Sequence, residues 1–236
     1  MLSVIIPAYN EEKNIMRIEK ELIPFLKKLK TTYEIVIVDD GSYDKTAERA
    51  QELQKKHNEI VIIKHGSNKG LGAAVITGIN AVKGETTIML DSDFTFHPRD
   101  IPTLLDVYKR QNADCIIGSP YTTGGEVMED VPFLRAILSK GINILYFIVF
   151  GTRIKSFSSI FRVYNTKYLK EMKLRSTGFT ICAEILFRLI QKKTNIIEVP
   201  VSLGKRLYGK SKIKIFKETK NNVLFLIKVF LWRIGF

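Results

Sequence analysis

The chain has little of what several common kinds of protein chemistry require. Only two of its 236 residues are cysteines. These are Cys115 and Cys182, which lie far apart in apolar segments, so buried, reduced thiols and a reducing compartment are expected. There is no Cys-x-x-Cys pair and no cysteine–histidine cluster, which argues against a zinc site. The three histidines are scattered and have no suitably placed serine or cysteine partner, so a hydrolytic triad has no support.

Long apolar runs are also missing. No segment reaches the roughly 20 apolar residues that a transmembrane helix needs. The first apolar run, residues 2–6, stops at Pro7 and has no basic flank, so no signal peptide is indicated. No linker rich in glycine, proline or serine divides the chain.

Apolar residues and positive charge are abundant. Hydrophobic residues make up 45% of the chain, enough for a sizeable core. The net charge is +13, from 37 Lys and Arg against 24 Asp and Glu. This excess favours anionic partners such as phosphorylated ligands, anionic membrane surfaces or nucleic acid. A merely soluble, lysine-rich surface would give the same charge, so charge alone does not choose among them.

Short apolar runs alternate with helical patterns through the first half of the chain. At this spacing the alternation predicts βαβ units, an α/β fold and a mainly parallel sheet with helices on both faces. The predicted strands are residues 3–6, 35–38, 60–64, 86–90 and 115–118, and the predicted helices are residues 11–29, 46–56, 73–82 and 101–112.

Acidic residues follow two of these strands. Asp91 and Asp93 follow residues 86–90, and Asp39 and Asp40 come directly after residues 35–38. Ligands bind at the carboxyl ends of strands in open α/β sheets. We expect Asp91 and Asp93 to bind Mg²⁺ or Mn²⁺ together with phosphate oxygens, with Asp93 an exposed carboxylate. The other pair can accept hydrogen bonds from a base or ribose, or can simply form a turn before a capped helix.

Two further segments are ambiguous on their own. Gly70-Leu71-Gly72-Ala73-Ala74 is not a dinucleotide-binding fingerprint, because Val75 stands where the third glycine would be, and a tight turn into a helix is predicted instead. The basic loop from Lys205 to Lys212 can bind phosphate through arginine and lysine, or can be an ordinary charged surface.

The second half contains two strongly apolar segments. Residues 133–150 form a predicted helix with one polar stripe of Arg135, Ser139, Asn143 and Tyr146. The stripe indicates either a core helix with one polar edge or a helix that turns Arg135 and Ser139 into a site. Residues 223–236 are apolar nearly all round and follow a lysine-rich segment. They predict a helix that either lies in a membrane interface or packs on the domain.

Taken in order, these segments resemble family 2 glycosyltransferases of the GT-A type, especially the dolichyl-phosphate mannose synthases. The match covers roughly residues 2–212, and its specificity lies in the shared order of modest motifs. The matching segments are Pro7-Ala8-Tyr9-Asn10-Glu11-Glu12, Val38-Asp39-Asp40-Gly41-Ser42, Asn68-Lys69-Gly70-Leu71-Gly72-Ala73-Ala74, Asp91-Ser92-Asp93 with His97-Pro98, Arg135, Ser139-Lys140-Gly141 and the stretch from Glu198-Val199-Pro200 to Lys212.

The resemblance implies a catalytic domain at residues 1–212 and a basic, apolar C-terminal helix at 213–236. It implies inverting transfer of a sugar, with mannose favoured, from GDP-mannose to a polyprenyl or dolichyl phosphate with Mg²⁺ or Mn²⁺. The enzyme would be cytoplasmic and peripheral at the inner face of the membrane. A UDP-sugar donor and a non-catalytic nucleotide-sugar-binding protein are the alternatives. Nucleic acid is not an expected partner, because carboxylates repel a phosphate backbone unless they bind metal.

The same resemblance assigns roles to individual residues. The nucleotide is held by Pro7, Tyr9, Glu11, Asp39, Asp40, Lys69, Asp91, Arg206 and Lys212. The metal is bound by Asp91 and Asp93, the acceptor phosphate by Arg135 and Ser139, and the catalytic set is Asp91, Asp93 and Arg135.

The chain departs from the family pattern at four positions. Pro120 replaces a frequent acceptor-side arginine, and Thr95 stands where many members have a glutamine that contacts the metal. Ser156 replaces a usual aspartate and Ile160 a usual glycine. These changes leave the nucleotide half of the pattern intact and bear on the donor sugar and the acceptor.

Overall fold

A seven-stranded sheet forms the centre of the computed structural model, which describes residues 1–127, 133–209 and 215–233. The side chains of residues 133–140, 215, 217, 232 and 233 lie outside that description. The strands are β1 (Leu2–Ala8), β2 (Tyr33–Asp39), β3 (Ile60–Lys64), β4 (Thr86–Met89), β5 (Cys115–Ser119), β6 (Glu126–Val127), β7 (Arg162–Asn165), β8 (Ile196–Pro200) and β9 (Ser202–Leu203). The helices are α1 (Glu12–Ile15), α2 (Ile23–Lys28), α3 (Thr46–Lys56), α4 (Leu71–Ala81), α5 (Ile101–Arg110), α6 (Phe133–Phe150), α7 (Thr166–Glu171), α8 (Ile181–Gln191) and α9 (Ile215–Arg233).

The sheet is mainly parallel, as the alternation of strands and helices predicts. Its strand order is β3-β2-β1-β4-β7-β5-β8, and β6 pairs with β9 in a separate small sheet. Only β7 runs against its neighbours: it pairs antiparallel with both β4 and β5, whereas the other pairings in the large sheet are parallel. The start of β7 therefore lies at the same edge as the ends of the other six strands.

Helices cover both faces of the sheet, which confirms the predicted α/β class. Successive side chains on a strand point to opposite faces. Val4 and Ile6 accordingly join one apolar cluster, with α2, α3 and α5, whereas Ile5 joins the other, with α4, α6, α8 and α9. Both clusters are fully buried along β1 and β2, as expected for a parallel sheet with two covered faces.

The first predicted helix is broken. In place of one helix over residues 11–29, the structure has α1, a π-helical turn at Ile18–Leu22 and then α2. Pro24 lies in the first turn of α2, where its missing N–H is tolerated but the preceding turn cannot continue with regular hydrogen bonds. Ile15, Ile18, Leu22 and Leu26 are nevertheless all buried, so the apolar spacing identifies the packed face correctly.

The carboxyl ends of β1, β2 and β4 bring the acidic segments to one edge of the sheet. Asp39 ends β2, and Asp91 follows β4 by two residues. The two strands are not immediate neighbours, because β1 pairs with both and lies between them. The end of β1 therefore separates the two acidic pairs, and the segment from Pro7 to Glu11 runs between them.

The last helix has two different faces. Leu226 and Val229 of α9 are buried in the core cluster that also includes residues of α6. The hydroxyl of Tyr146 on α6 donates to Oδ1 of Asn222 on α9 at 2.5 Å. Tyr146 is therefore a buried contact between the two helices and does not belong to a solvent-exposed polar edge of α6. In the described part of the chain, none of the helices combines the length and apolar character needed to cross a membrane.

We predict that two adjacent residues of α9 contribute very differently to stability. Leu226 is 4% exposed and Ile227 is 49% exposed. Leu226→Ala should lower the free energy of unfolding by about 2–5 kcal/mol, because it leaves a cavity in the core. Ile227→Ala, the matched control, should change it by less than about 0.5 kcal/mol. Chemical denaturation measures both, and similar small losses would show that α9 is not integrated with the domain.

Candidate functional site

A cavity of about 1900 Å³ opens at the carboxyl edge of the sheet. The topology explains its wall, because segments that follow β1, β2, β4, β5 and β8 and the segment that precedes β7 all meet there. Most of the residues assigned from the sequence line it. They are Pro7, Tyr9, Glu11, Asp40, Lys69, Asp91, Asp93 and Arg206.

Asp93 is held rigidly in the wall of this cavity. It is 5% exposed, so the expectation of an exposed carboxylate is wrong. Its Oδ1 accepts hydrogen bonds from the backbone N–H and the hydroxyl of Thr95, both at 3.0 Å. The backbone carbonyl of Asp93 accepts from Nη1 of Arg17 at 2.5 Å. Thr95, one of the departures from the family pattern, therefore fixes the carboxylate that the sequence assigns to the metal.

Arg17 is a site residue that the sequence analysis missed. It forms a forked pair with Glu21, with N–O distances of 2.7 and 2.9 Å, and its guanidinium lies 5.3 Å from the ring centre of Phe94. This arrangement holds Arg17 against the Asp93 loop. The spacing of Arg17 and Glu21 by four residues on a helical pattern was the available signal, but it indicated only a surface pair.

Asp91 lies beside Asp93 and is only partly exposed. Desolvation and the neighbouring charge of Asp93 raise the pKa of Asp91 to about 8, and the guanidinium of Arg206 opposes this shift. Two carboxylates so close together favour a bound cation, because a cation removes both the desolvation penalty and the mutual repulsion.

Arg206 supplies positive charge at this place. Its Nη1 lies 3.1 Å from Oε1 of Glu11, and its Nη2 contacts Oδ2 of Asp93. The carboxylate surroundings therefore accommodate a cationic group, and their hard oxygen donors suit Mg²⁺ or Mn²⁺. Among the described residues, no group of three or more acidic, histidine or cysteine side chains is arranged to hold a metal ion by itself. A metal at Asp91 and Asp93 would need further oxygens from a ligand.

The other acidic pair divides into two environments. Asp39 is buried and is not among the described residues of the cavity wall. Its Oδ1 accepts from the backbone N–H of Ser42 at 3.1 Å, whereas its Oδ2 is buried with no hydrogen-bond partner in the described structure. A buried carboxylate oxygen without a donor is costly, so this oxygen is suited to a ligand N–H or O–H. Asp40 lines the cavity and is bonded to the protein on both oxygens.

Another group of residues in the cavity wall differs in chemical character from the carboxylates. Asn143, Ile144 and Phe147 of α6 line the cavity together with Phe179 and the basic residues Arg153 and Lys155. Asn143 belongs to the predicted polar stripe, but no sequence signal pointed to the other five. They reach the site because α6 follows β5 and because the segment before β7 starts at the same edge.

All four departures from the family pattern, Thr95, Pro120, Ser156 and Ile160, line the cavity. Pro120 lines the cavity just beyond β5, so the wall carries no charge at that position. Ser156 is buried, and its backbone N–H donates to Oε1 of Glu198 at 2.9 Å while its carbonyl accepts from Nη2 of Arg162 at 3.2 Å. Ser156 therefore holds the segment before β7 in place through its backbone.

The side chains of three assigned residues lie outside the described part of the chain. Arg135 and Ser139 fall within α6, one helical turn apart, but their side chains lie outside the described residues. Lys212 also lies outside the described residues.

An α/β sheet with acidic strand ends, a cation-accepting carboxylate pair and a large cavity at one edge is the arrangement expected of a protein of the GT-A class. The comparisons agree: residues 3–173 match the family model described as glycosyl transferase family 2. The chain belongs to glycosyl transferase family 2, which confirms the resemblance seen in the motifs.

Similar proteins of known name extend this result. Over 215 residues, 90% of this chain, it is 37% identical to a dolichol-phosphate mannosyltransferase of Pyrococcus furiosus. Over 92% of the chain it is 31% identical to an undecaprenyl-phosphate 4-deoxy-4-formamido-L-arabinose transferase of Edwardsiella ictaluri. The matches span 59% and 64% of those two proteins, so the chain corresponds to part of their length.

A solved structure supports the fold. The crystal structure of glucosyl-3-phosphoglycerate synthase from Mycobacterium tuberculosis, in complex with Mn²⁺, UDP-glucose and phosphoglyceric acid, matches with a TM-score of 0.71 at 18% identity. The match covers 100% of this chain and 80% of that one. At this identity the likeness shows the GT-A fold alone.

We predict that Asp91 lowers the free energy of unfolding of the metal-free protein by an amount that depends on pH. The pKa of Asp91 is about 8 in the folded protein, above its value of about 3.9 in the unfolded chain. The folded state is therefore stabilised by the bound proton below about pH 4, and this stabilisation is lost as the pH rises through about 8. Asp91→Asn should therefore become more stable than wild type by about 1–3 kcal/mol between pH 5 and pH 8, as denaturation in chelator would measure.

A second variant checks the cause. Asp93→Asn keeps Asp91 but removes the neighbouring charge that raises its pKa. The pH-dependent loss should shrink in that variant. A stability difference between Asp91→Asn and wild type that stays constant across this pH range would contradict the assignment.

Proposed function

We propose that this chain transfers a sugar, with mannose favoured, from a nucleotide-sugar to a polyprenyl or dolichyl phosphate. The observation that carries the proposal is the cavity itself. Its wall combines the carboxylates Asp91 and Asp93 and the guanidinium of Arg206 with the apolar side chains of Ile144 and Phe147. The charged groups suit a phosphate-bearing donor, and the apolar side chains suit a lipid phosphate.

The donor half of the proposal rests on the segments around β1 and β2. Pro7, Tyr9 and Glu11 line the cavity beside Lys69, and the unsatisfied oxygen of Asp39 lies buried at the end of β2. We propose that these residues bind the nucleoside, with Arg206 and Lys212 on the phosphates. GDP-mannose is favoured because the relative at 37% identity is named a mannosyltransferase. A UDP-sugar is the alternative, since the solved structure of the same fold contains UDP-glucose.

The chemistry needs little from the protein at the acceptor oxygen. A phosphate monoester has a second pKa of about 6 and is largely ionised at neutral pH, so it attacks without a general base. Its oxygen forms a bond to the anomeric carbon while the bond from that carbon to the nucleoside diphosphate breaks, and the bonding pair leaves with the diphosphate. Attack opposite the leaving group inverts the anomeric configuration.

The leaving diphosphate requires positive charge. Arg206 lies at the carboxylate pair, where its guanidinium can turn to phosphate oxygens. A divalent ion bound by Asp91 and Asp93 would supply further charge neutralisation as the diphosphate leaves. Thr95 and Arg17 would keep Asp93 oriented for that role.

The acceptor half of the proposal places the lipid phosphate near α6. Arg135 and Ser139 are one turn apart on this helix, so we propose that both bind the acceptor phosphate. The exposed residues Arg153 and Lys155 add positive charge to the cavity wall, to which Pro120 contributes none.

We also propose that α6 and α9 lie against the cytoplasmic face of a membrane. Both helices expose large apolar side chains on the side away from the core, among them Ile148 at 65% and Phe230 at 53%. Lys220 and Lys228 are exposed on α9 beside them. An apolar face flanked by lysines suits the interface of an anionic bilayer. The lipid acceptor would then reach the cavity from the side lined by Ile144 and Phe147.

The reaction can be tested directly. Purified protein is incubated with GDP-mannose and a panel of UDP-sugars, polyprenyl phosphate and Mn²⁺, and glycolipid formation is measured. We expect transfer that chelator abolishes. Asp93→Asn, which keeps the volume and the Thr95 contacts, should lower kcat at least about a hundredfold, because the metal that neutralises the diphosphate loses a charged ligand.

Two results would decide against this function. Turnover that persists unchanged in Asp93→Asn or in excess chelator would refute the metal assignment. Nucleotide binding without transfer to any lipid phosphate would favour the non-catalytic nucleotide-sugar-binding protein instead.

Membrane binding is tested on the exposed apolar face. Ile148→Glu and Ile227→Glu should each weaken co-sedimentation with anionic liposomes by roughly tenfold, since each removes an apolar side chain from the interface and adds a repelled charge. Tyr43→Glu, a control at an exposed position outside both helices, should have little effect. Binding that is equal in all three variants would show that this face does not contact the membrane.

A further inference from the structure

We infer that His65, acting through Asp40, is a positioning residue that fixes the turn at residues 68–71, which lines the cavity and contains Lys69, one of the residues proposed to bind the nucleotide. The inference rests on the proposed function, and it assigns the second acid of the pair a role within the protein. Asp40 and this turn all line the cavity.

The carboxylate of Asp40 is almost fully engaged by the protein. Its Oδ1 lies 2.7 Å from Nδ1 of His65 and accepts from the backbone N–H of Lys69 at 3.0 Å. Its Oδ2 accepts from the backbone N–H of Gly70 at 2.8 Å. Both Asp40 and His65 are buried. Asp40 therefore holds two successive amides of the turn, and this leaves little of its hydrogen-bonding capacity for a ligand.

His65 links this carboxylate to the helix that follows the turn. Its Nε2 lies 2.9 Å from the hydroxyl oxygen of Thr77 on α4. A carboxylate only accepts hydrogen bonds, so Nδ1 carries a proton and donates to Asp40. The chain Asp40–His65–Thr77 thus connects the end of β2, the end of β3 and α4 through buried contacts. Breaking one of them would leave a buried polar group unsatisfied.

The opposite side of the turn is clamped as well. The backbone N–H of Gly72 donates to the carbonyl of Thr177 at 2.7 Å. Gly70 has a φ of +97°, and a Cβ there would lie 2.5 Å from the Thr177 carbonyl oxygen. The turn is therefore fixed between Asp40 on one side and Thr177 on the other. Because Thr177 also lines the cavity, a shift of the turn would change the separation of two of its walls.

This geometry predicts the effect of each substitution at His65 and Thr77. His65→Ala removes both contacts. His65→Asn keeps an N–H donor close to the position of Nδ1 and so preserves the bond to Asp40, while Thr77→Val removes only the outer contact. His57→Ala is the matched control, because His57 also contacts a carboxylate, with its Nε2 3.3 Å from Glu19, but does not line the cavity.

Two measurements separate positioning from simple stability. Amide hydrogen exchange of Lys69 and Gly70 reports on the turn without any ligand, and calorimetry reports the affinity for GDP and UDP in Mn²⁺. In His65→Ala, we expect exchange at both amides to accelerate and affinity to fall by about tenfold or more, the effect of losing a hydrogen bond to a charged group. His65→Asn should restore most of both properties, Thr77→Val should be intermediate, and His57→Ala should match wild type.

The outcomes that would overturn the inference are distinct. Unchanged exchange at Lys69 and Gly70 in His65→Ala would show that His65 does not hold the turn. Accelerated exchange with unchanged affinity would make the contact purely structural. If His65→Ala does not fold, equal loss of affinity in His65→Asn and Thr77→Val would contradict the role of the Asp40 contact. If wild type binds neither nucleotide, the proposed function fails, and with it the nucleotide role of the turn, while the exchange data still decide whether His65 holds it.

Discussion

The site depends on a cluster of carboxylates at positions that are largely shielded from solvent. Glu11, Asp91 and Asp93 meet at the ends of parallel strands, and two of the three are buried. Such a cluster is stable only if cations or hydrogen-bond donors balance its charge. The raised pKa of Asp91 reflects the free-energy cost of ionising a desolvated carboxyl beside another carboxylate. Arg206 provides balance from a segment far away in the sequence. The need for positive charge, from arginine or from a metal with its ligand, explains why these elements converge.

The first half of the fold was predictable because its signals are local. Each of the first five strands contains a short apolar run, and β2 and β3 consist mostly of Val and Ile. The buried ladder of β1 and β2 follows directly from these runs. The acidic pairs stand next to those strands, so their position at the carboxyl edge follows from the parallel arrangement. The order of strands was not available from these patterns. That β1 separates β2 from β4 depends on how whole βαβ units pack.

The rest of the site could not be predicted, because it depends on a reversal of chain direction. β7 has only four residues, and Arg162 within it is fully buried, so it lacks the appearance of a core strand. Its antiparallel course brings Arg153 and Lys155 to the cavity wall, next to Ser156, which the family pattern had already singled out. The burial of Asp93 was missed for a related reason. From sequence alone a carboxylate is expected at the surface unless its partners are known. The partners of Asp93, Arg17 and Arg206, are 76 and 113 positions away in the sequence.

The C-terminal helix shows that packing in the core and exposure of an apolar face, the two interpretations of this segment, can occur in one helix. The sequence was compatible with α9 as a core helix or as an interfacial one, because residues 223–236 are apolar nearly all round. In the structure, Leu226 and Val229 pack into the core while Leu224, Ile227 and Phe230 face outward. The packed face fixes α9 against α6, and α6 lines the cavity. The outer face of α9 is therefore held in a fixed position relative to the cavity, and the proposed transfer from a water-soluble donor to a lipid acceptor requires such an arrangement.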